Sequence, residues 1–363
     1  VLARSILKYE NLFGKIKYKY YKGNLAEKLN NVLKSEEEIS SLDGRNDDPG
    51  TLACFMFDRS IDMITPFCTH FVYEGLLDDY FGINFNNIKI SPSILEKQST
   101  KDFITVDLSR LDKFYTKIKD FNFEKIKKFL TVKFKEHNKT LEESKQKMDL
   151  KEIEKNLDKI KQIKEERSSL TNHILLADYI AKKQKIPNER FYLNNEKNLL
   201  VGYFPSTIFE FIDDEIGKKC EEYKILRIIC LLSLISGGIK NKYYEQIKKD
   251  FINIYGFQEI FLWHNLENLH ILKNSGSSSY FYELIKKLEL NYENINVSEP
   301  NDISYSYSGY APLLIRLIER AFTSGWGGIK DILAKIQGES GYPSDESEVI
   351  NISNKKQFIL LVF

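Results

Sequence analysis

The sequence predicts an α/β domain that is split by a large, mainly helical insertion. Two observations define the split. TLACFMF at 51–57 is apolar on both alternating faces, as a strand covered on both sides of a sheet must be, and the run KQFILLVF at 356–363 has the same character. The third observation concerns the chain between them, which holds no glycine or proline from Pro92 to Pro187. That absence favours long uninterrupted helices.

Residues 1–38 carry helical periodicity broken at Gly23, and the turn-rich SLDGRNDDPG at 41–50 punctuates before the first buried strand. Asp58 and Arg59 fall where that strand ends, the carboxyl edge at which open α/β sheets gather functional groups. Thr65-Pro66 and the amphipathic FVYEGLLDDYFG then read as a loop leading into a helix. Between about 123 and 185 apolar residues recur at Ile126, Leu130 and Phe134, thin out at Leu141 and Met148, and return at Leu150, Ile153, Leu157, Ile160 and Ile163. This is the narrow seam of a charge-laced helical hairpin whose tip leaves the protein body. Each arm of about 25 residues would reach roughly 37 Å. Residues 205–272 are again apolar and helical, and NSGSSS at 274–279 is a loop. A tyrosine and glycine turn precedes a helix starting near Pro312, and the polar GESGYPSDESEV at 338–349 leads to the last strand. No repeat of fixed period is present.

Composition excludes several functions. With 53 Lys+Arg against 52 Asp+Glu the net charge is +1, so no global field selects nucleic acid or an anionic membrane. Cys54, Cys68, Cys220 and Cys230 are scattered, without metal or redox spacing, and read as core residues in a reducing compartment. The longest apolar stretch, 225–239, is broken by Arg227 and Gly237-Gly238 and is too short to span a membrane. Both ends look cut, which marks part of a larger cytosolic protein.

Asp58, Asp62 and His70, with Ser60 between the two aspartates, are candidate catalytic groups. A nucleophile elbow needs small neighbours, and Ser60 lies between Arg59 and Ile61. An ion-paired loop, with Arg59 bridging two aspartates and fixing the exit of the chain, is the expected arrangement. His264 and His270 are six apart, not at the spacing of a helical zinc pair, and no metal site is expected. The glycine pairs in SGGIKNK and SGWGGIK lack the order of a phosphate loop. Tyrosines and lysines interleave in KIKYKYYKGN, but the same bias runs through the whole chain, so it is read as background rather than a single-strand nucleic-acid site.

Taken in order, FMFDRSIDMITPFCTHFVYEGLLDDYFGI, SSLTNHILLADYI, YGFQEIFLWHNLENLHIL and ISYSYSGYAPLLIRLIERAF resemble the SM proteins, regulators of SNARE-driven vesicle fusion. The run after Thr-Pro, the SLTNH motif at Ser169–His173 and YSGYAPL at Tyr307–Leu313 are closest to the vacuolar protein sorting subtype, the SM subunit of HOPS and CORVET tethers. The resemblance implies an arch-shaped fold whose first domain is absent here, with 1–75 and 338–363 forming a split α/β domain and 76–337 the inserted helical one. It implies a protein that is not an enzyme and carries no cofactor. Its partners would be SNARE helices, received on the hairpin at Met148, Ile153, Leu157, Ile160 and Ile163, and a helical tether subunit at Lys248, Phe257 and Ile260. Asp58, Arg59, Asp62, Thr65 and Pro66 would form a structural hinge. The protein would be cytoplasmic, reaching endosomal, lysosomal or vacuolar membranes only through partners. The competing readings are a coiled-coil scaffold that ignores SNAREs, and a hydrolase using Asp58, Asp62 and His70.

Overall fold

The computed structural model describes residues 1–40, 51–98, 101–146, 157–203, 207–274, 281–292, 295–297, 299–307, 309–341 and 358–362. The chain begins with α1 (Leu2–Phe13), β1 (Ile16–Lys22), α2 (Asn24–Ser40) and β2 (Thr51–Phe57). Two short 3-10 turns, Arg59–Ile61 and Thr65–Phe67, lead to α3 (Tyr73–Phe81), β3 (Asn87–Ile90) and β4 (Ile104–Asp107). Helices α4 (Lys113–Ile118), α5 (Phe123–Gln146), α6 (Leu157–Gln184) and α7 (Pro187–Leu200) follow. Then come α8 (Thr207–Gly217), α9 (Glu222–Ser236), α10 (Asn241–Tyr255), α11 (Glu259–Asn268) and α12 (Phe281–Leu288). A 3-10 segment at Ile303–Tyr307 precedes α13 (Leu313–Gly328), α14 (Lys330–Leu333), β5 (Ser340–Gly341) and β6 (Phe358–Val362).

The chain packs into two compact units. The first comprises Val1–Phe67, Ser206–Asn291 and Ala311–Phe363, the second Cys68–Pro205 and Tyr292–Tyr310. This division cuts the chain at points other than the expected boundaries 75/76 and 337/338, and Phe322 and Trp326 of 311–337 pack against Phe55 of the sheet. The cut falls between Phe67 and Cys68, directly after the Asp58–Pro66 stretch.

In the first unit the sheet order is β5-β1-β2-β6. The two strands legible as buried runs lie side by side, with β2 and β6 parallel from Ala53↔Phe358 to Phe57↔Val362. Alternation across β2 explains its apolar character on both faces. Cys54 and Met56 pack with Ala3, Ile6 and Leu7 of α1 and Ala26 and Leu33 of α2. Phe55 points the other way, with ring centroids 5.0 Å from Tyr20, 5.5 Å from Phe322 and 6.1 Å from Trp326.

Two expectations are corrected. Residues 16–22, read as part of a helical stretch, form the central strand β1, which pairs in parallel with β2. Its inward positions Ile16, Tyr20 and Lys22 are buried, so the tyrosines and lysines dismissed as background are a pleated sheet pattern. The glycine-free region is not helical throughout, because β4 lies inside it and pairs antiparallel with β3. Ile104 and Val106 alternate with Thr105 and Asp107, and this period of two outweighed the missing breakers.

The second unit is built around α3, the β3–β4 pair and the hairpin helices. Tyr73, Leu76, Leu77, Ile88, Ile90, Ile118, Ile126, Leu130, Leu170, Leu176 and Ile180 form one buried cluster. The 303–307 segment returns to this unit: Phe71 N–H donates to the Ser306 carbonyl at 2.8 Å, and Asn122 Nδ2 donates to the Tyr305 carbonyl at 3.0 Å. His70 Nε2 and the Tyr307 hydroxyl are 2.6 Å apart. Position 75 must be glycine there, since a Cβ would stand 2.3 Å from the Cβ of His70. Among the described residues no helix is long and apolar enough to cross a membrane.

Candidate functional site

At the carboxyl edge of the sheet, β1 turns through Gly23 into α2, a strand-to-helix turn whose free N–H groups attract anions. The chain fills that position itself. The buried Asp58 carboxylate accepts the N–H of Ala26 at 2.8 Å and of Leu25 at 3.1 Å. A Cβ at residue 23, where φ is +110°, would lie 2.2 Å from the Asp58 carboxyl carbon. Lys22, also buried, donates its ammonium to the Gly338 carbonyl, and burial lowers its pKa.

The expected ion-paired loop is corrected by this geometry. Arg59 is exposed and donates to the Asp62 backbone carbonyl at 2.8 Å, while the Asp62 carboxylate accepts the N–H and hydroxyl of Thr65 at 3.0 and 2.7 Å. Asp58, Asp62 and His70 therefore serve a helix terminus, a turn and a tyrosine contact. Cys54 is equally unsuited to nucleophilic chemistry, because burial pushes its thiol up to about 12.

The hairpin carries an apolar groove of about 630 Å³ between α5 and α6. Phe123, Leu130, Thr131 and Phe134 line it from α5, with Glu124 and Lys127 beside them. Thr171, Ile174, Leu175, Ala177 and Ala181 line it from α6, with Asp178. From Phe123 to Phe134 the wall runs about 16 Å, roughly three helical turns. Of the predicted seam, Leu157, Ile160 and Ile163 lie on α6, whereas Met148 and Ile153 fall outside the described residues.

Behind α6 lies a polar cluster. His173 is 0% exposed and sits with Nε2 3.1 Å from Asp112 Oδ2 and Nδ1 3.0 Å from the Tyr73 hydroxyl. An imidazole protonated on Nε2 satisfies both partners. Ser169 donates to the same Oδ2 at 2.5 Å, and Oδ1 accepts the N–H groups of Phe114 and Tyr115, each at 2.9 Å, capping α4. Burial works against the charged carboxyl, but the bonds from His173, Ser169 and the Tyr115 backbone outweigh it and hold the pKa at about 2.

A second surface lies at α10 and α11. The helix α10 ends at Gly256, whose φ is +119°. Phe257 beyond it is 78% exposed, Ile260 41% and Phe261 75%. Lys248 is not a free rim cation, because its ammonium stands 2.7 Å from Glu267 Oε1. That oxygen also accepts the Tyr244 hydroxyl, which in turn accepts Trp263 Nε1–H at 2.9 Å. Burial opposes the Glu267 charge, yet Lys248 and Tyr244 hold its carboxyl below the ordinary range. Lys248 thus fixes α10 against α11 and positions the exposed aromatics.

The Sec1 family pattern matches residues 1–360. The chain belongs to the Sec1 family. It is 30% identical over 358 residues to the vacuolar protein-sorting-associated protein 33 homolog of Arabidopsis thaliana, covering 95% of this chain and 59% of that protein. To the vacuolar protein sorting-associated protein 33A of Rattus norvegicus it is 29% identical over 348 residues, covering 93% and 58%. The chain thus spans less than two thirds of the length of these relatives.

Two solved structures share the fold of this Sec1-family chain. The SM protein Vps45 in complex with the Qa SNARE Tlg2 matches with a TM-score of 0.70 at 12% identity, over 99% of this chain and 62% of that one. The Unc18–syntaxin 1 complex from Monosiga brevicollis matches with a TM-score of 0.70 at 14% identity, over 100% and 63%.

Sequence reasoning missed Asp112, Phe261 and the α6 wall of the groove. The SLTNH motif contained the signal for the polar cluster, since Ser169 and His173 are one helical turn apart and so share a face.

Two outcomes test these assignments. Asp58→Ala should cost about 2–3 kcal/mol by orphaning buried helix N–H groups, while Arg59→Ala should stay within about 0.5 kcal/mol, both read by urea denaturation. The Asp112 pKa is depressed in the fold, so its stabilisation is complete above about 4 and is lost as pH falls towards 2. Asp112→Asn should therefore show a shallower loss of stability than the parent over that interval.

Proposed function

We propose that this chain is the SNARE-binding portion of an SM-type regulator of membrane fusion, and that the groove between α5 and α6 receives an amphipathic SNARE helix. The observation that carries this reading is the groove itself: an open apolar trough about three turns long, flanked by Glu124, Lys127 and Asp178. An apolar helical stripe fits such a trough, and charges at the rim set its register. Membership in the Sec1 family and the fold shared with an SM protein solved on a Qa SNARE support the assignment. The seam expected at Met148, Ile153, Leu157, Ile160 and Ile163 is proposed for the same partner. No covalent step is assigned.

The second part of the proposal is a tether contact. Phe257, Ile260 and Phe261 give an exposed aromatic and aliphatic patch of the kind that anchors interfaces. A helical subunit of a HOPS or CORVET-type complex is the partner proposed for it, supported by the similarity to vacuolar protein sorting-associated 33 proteins. The protein would then be cytoplasmic and peripheral on endosomal, lysosomal or vacuolar membranes through these partners.

Leu175→Asp should abolish binding of SNARE-motif helices in calorimetric titration with little change in thermal stability, because Leu175 is only half-buried. A folded variant that still binds would remove the groove from the mechanism. Phe257→Asp should abolish capture of the tether subunit and leave SNARE-helix affinity unchanged. Loss of both activities together would show that the patch is not a separate surface.

A further inference from the structure

The groove poses a physical problem of its own. About 630 Å³ of space lined mainly by apolar side chains is retained between two helices of one hairpin. Moving α6 towards α5 would bury that lining and gain hydrophobic free energy. The two helices already meet in the apolar cluster beneath the groove, through Ile126 and Leu130 of α5 and Leu170, Leu176 and Ile180 of α6, and the orientation of the α6 wall above that contact is left for directional interactions to set.

The polar cluster stands in the right place. At 100° per residue, Ser169 and His173 centre on one side of α6, and the six groove-lining residues of that helix, Thr171, Ile174, Leu175, Ala177, Asp178 and Ala181, centre roughly 140° away. The two clamp residues meet a single oxygen, Asp112 Oδ2, at 2.5 and 3.1 Å. Asp112 is itself immobilised by capping α4 through its other oxygen. Two further bonds act on the same side of α6: Lys97 Nζ donates to Asn172 Oδ1 at 3.1 Å, and Lys113 pairs with Glu166 at 3.2 Å. Hydrogen bonds to an ionised, partly buried carboxylate are shorter and stronger than those between neutral groups. They fix the position of a helix in a way that apolar packing, which tolerates sliding, does not.

We propose that Asp112, through Ser169 and His173, holds α6 away from α5 and keeps the groove open for a helix. The three are positioning residues. The proposal rests on the helix-receiving reading of the groove for its purpose, but the opening can be measured without any partner.

The test places an acrylodan label on Thr131→Cys, a groove-lining position, in a Cys220→Ser background that removes the one native cysteine that is not buried. Ser169→Ala/His173→Leu breaks the clamp while leaving the Asp112 cap on α4. With native circular dichroism retained, acrylodan emission should shift to shorter wavelength and iodide quenching should fall as the groove closes. SNARE-helix affinity should drop about tenfold if a tenth of the molecules remain open. His173→Gln, which keeps an N–H donor, should restore the parent emission, a rescue that a merely stabilising side chain would not produce selectively. If the double variant does not fold, Ser169→Ala alone is judged by the same emission and quenching. Unchanged emission and quenching in a folded clamp variant overturn the proposal. A label that responds, in a protein whose parent binds no SNARE helix, supports the clamp and refutes the helix-receiving reading instead.

Discussion

The second unit depends on one carboxylate. Asp112 accepts two backbone N–H groups at the start of α4, a serine hydroxyl and an imidazole N–H from α6, and through that imidazole it reaches the Tyr73 hydroxyl on α3. Three helices are thereby tied to one partly buried charge. Such an arrangement favours the ionised form and is costly to dismantle in parts, because each lost bond leaves the charge less satisfied. The apolar cluster around it supplies most of the burial, while the polar contacts select one orientation of the hairpin among those that hydrophobic packing alone would allow.

The first unit shows the opposite use of a carboxylate. A parallel sheet with a strand–glycine–helix turn offers a ready anion site at its carboxyl edge. Asp58 occupies that site from within the chain, and the buried Lys22 ties the neighbouring strand end to the Gly338 carbonyl. A position where other α/β proteins hold phosphate is used here to fasten β1, α2 and the turn before β5. The surfaces proposed for recognition are exposed ones: the groove between α5 and α6, and the aromatic patch after α10.

The sequence revealed those elements whose neighbours in space impose a simple pattern. The runs TLACFMF and FILLV are legible as strands because apolar groups cover both faces, as Cys54 and Phe55 show by packing in opposite directions. The stretch IKYKYYK was misread because tyrosines and lysines give a strand without an apolar signature. Arg59 was overvalued for a similar reason: adjacency to two aspartates in sequence implies an ion pair, but both carboxylates are turned towards backbone N–H groups. Contacts between distant residues left no local trace. Lys248 meets a glutamate 19 residues later, and His173 meets an aspartate 61 residues earlier. The groove is a relation between Phe134 and Leu175, which no periodicity along one helix encodes. Gly256 is a local signal for the end of α10, but the exposure of Phe257 beyond it is not encoded there.

These observations join into one account, in which a polar clamp orients a helical hairpin so that its open face can accept another helix. Hydrogen exchange of the chain with and without a bound SNARE-motif helix tests this most directly, since it reports where the partner lies without altering a residue. The account predicts added protection concentrated in 123–134 and 171–181, the two walls of the groove, with the sheet strands unchanged. Protection confined to the patch around Phe257, or absent from both groove walls while the helix is bound, would contradict it.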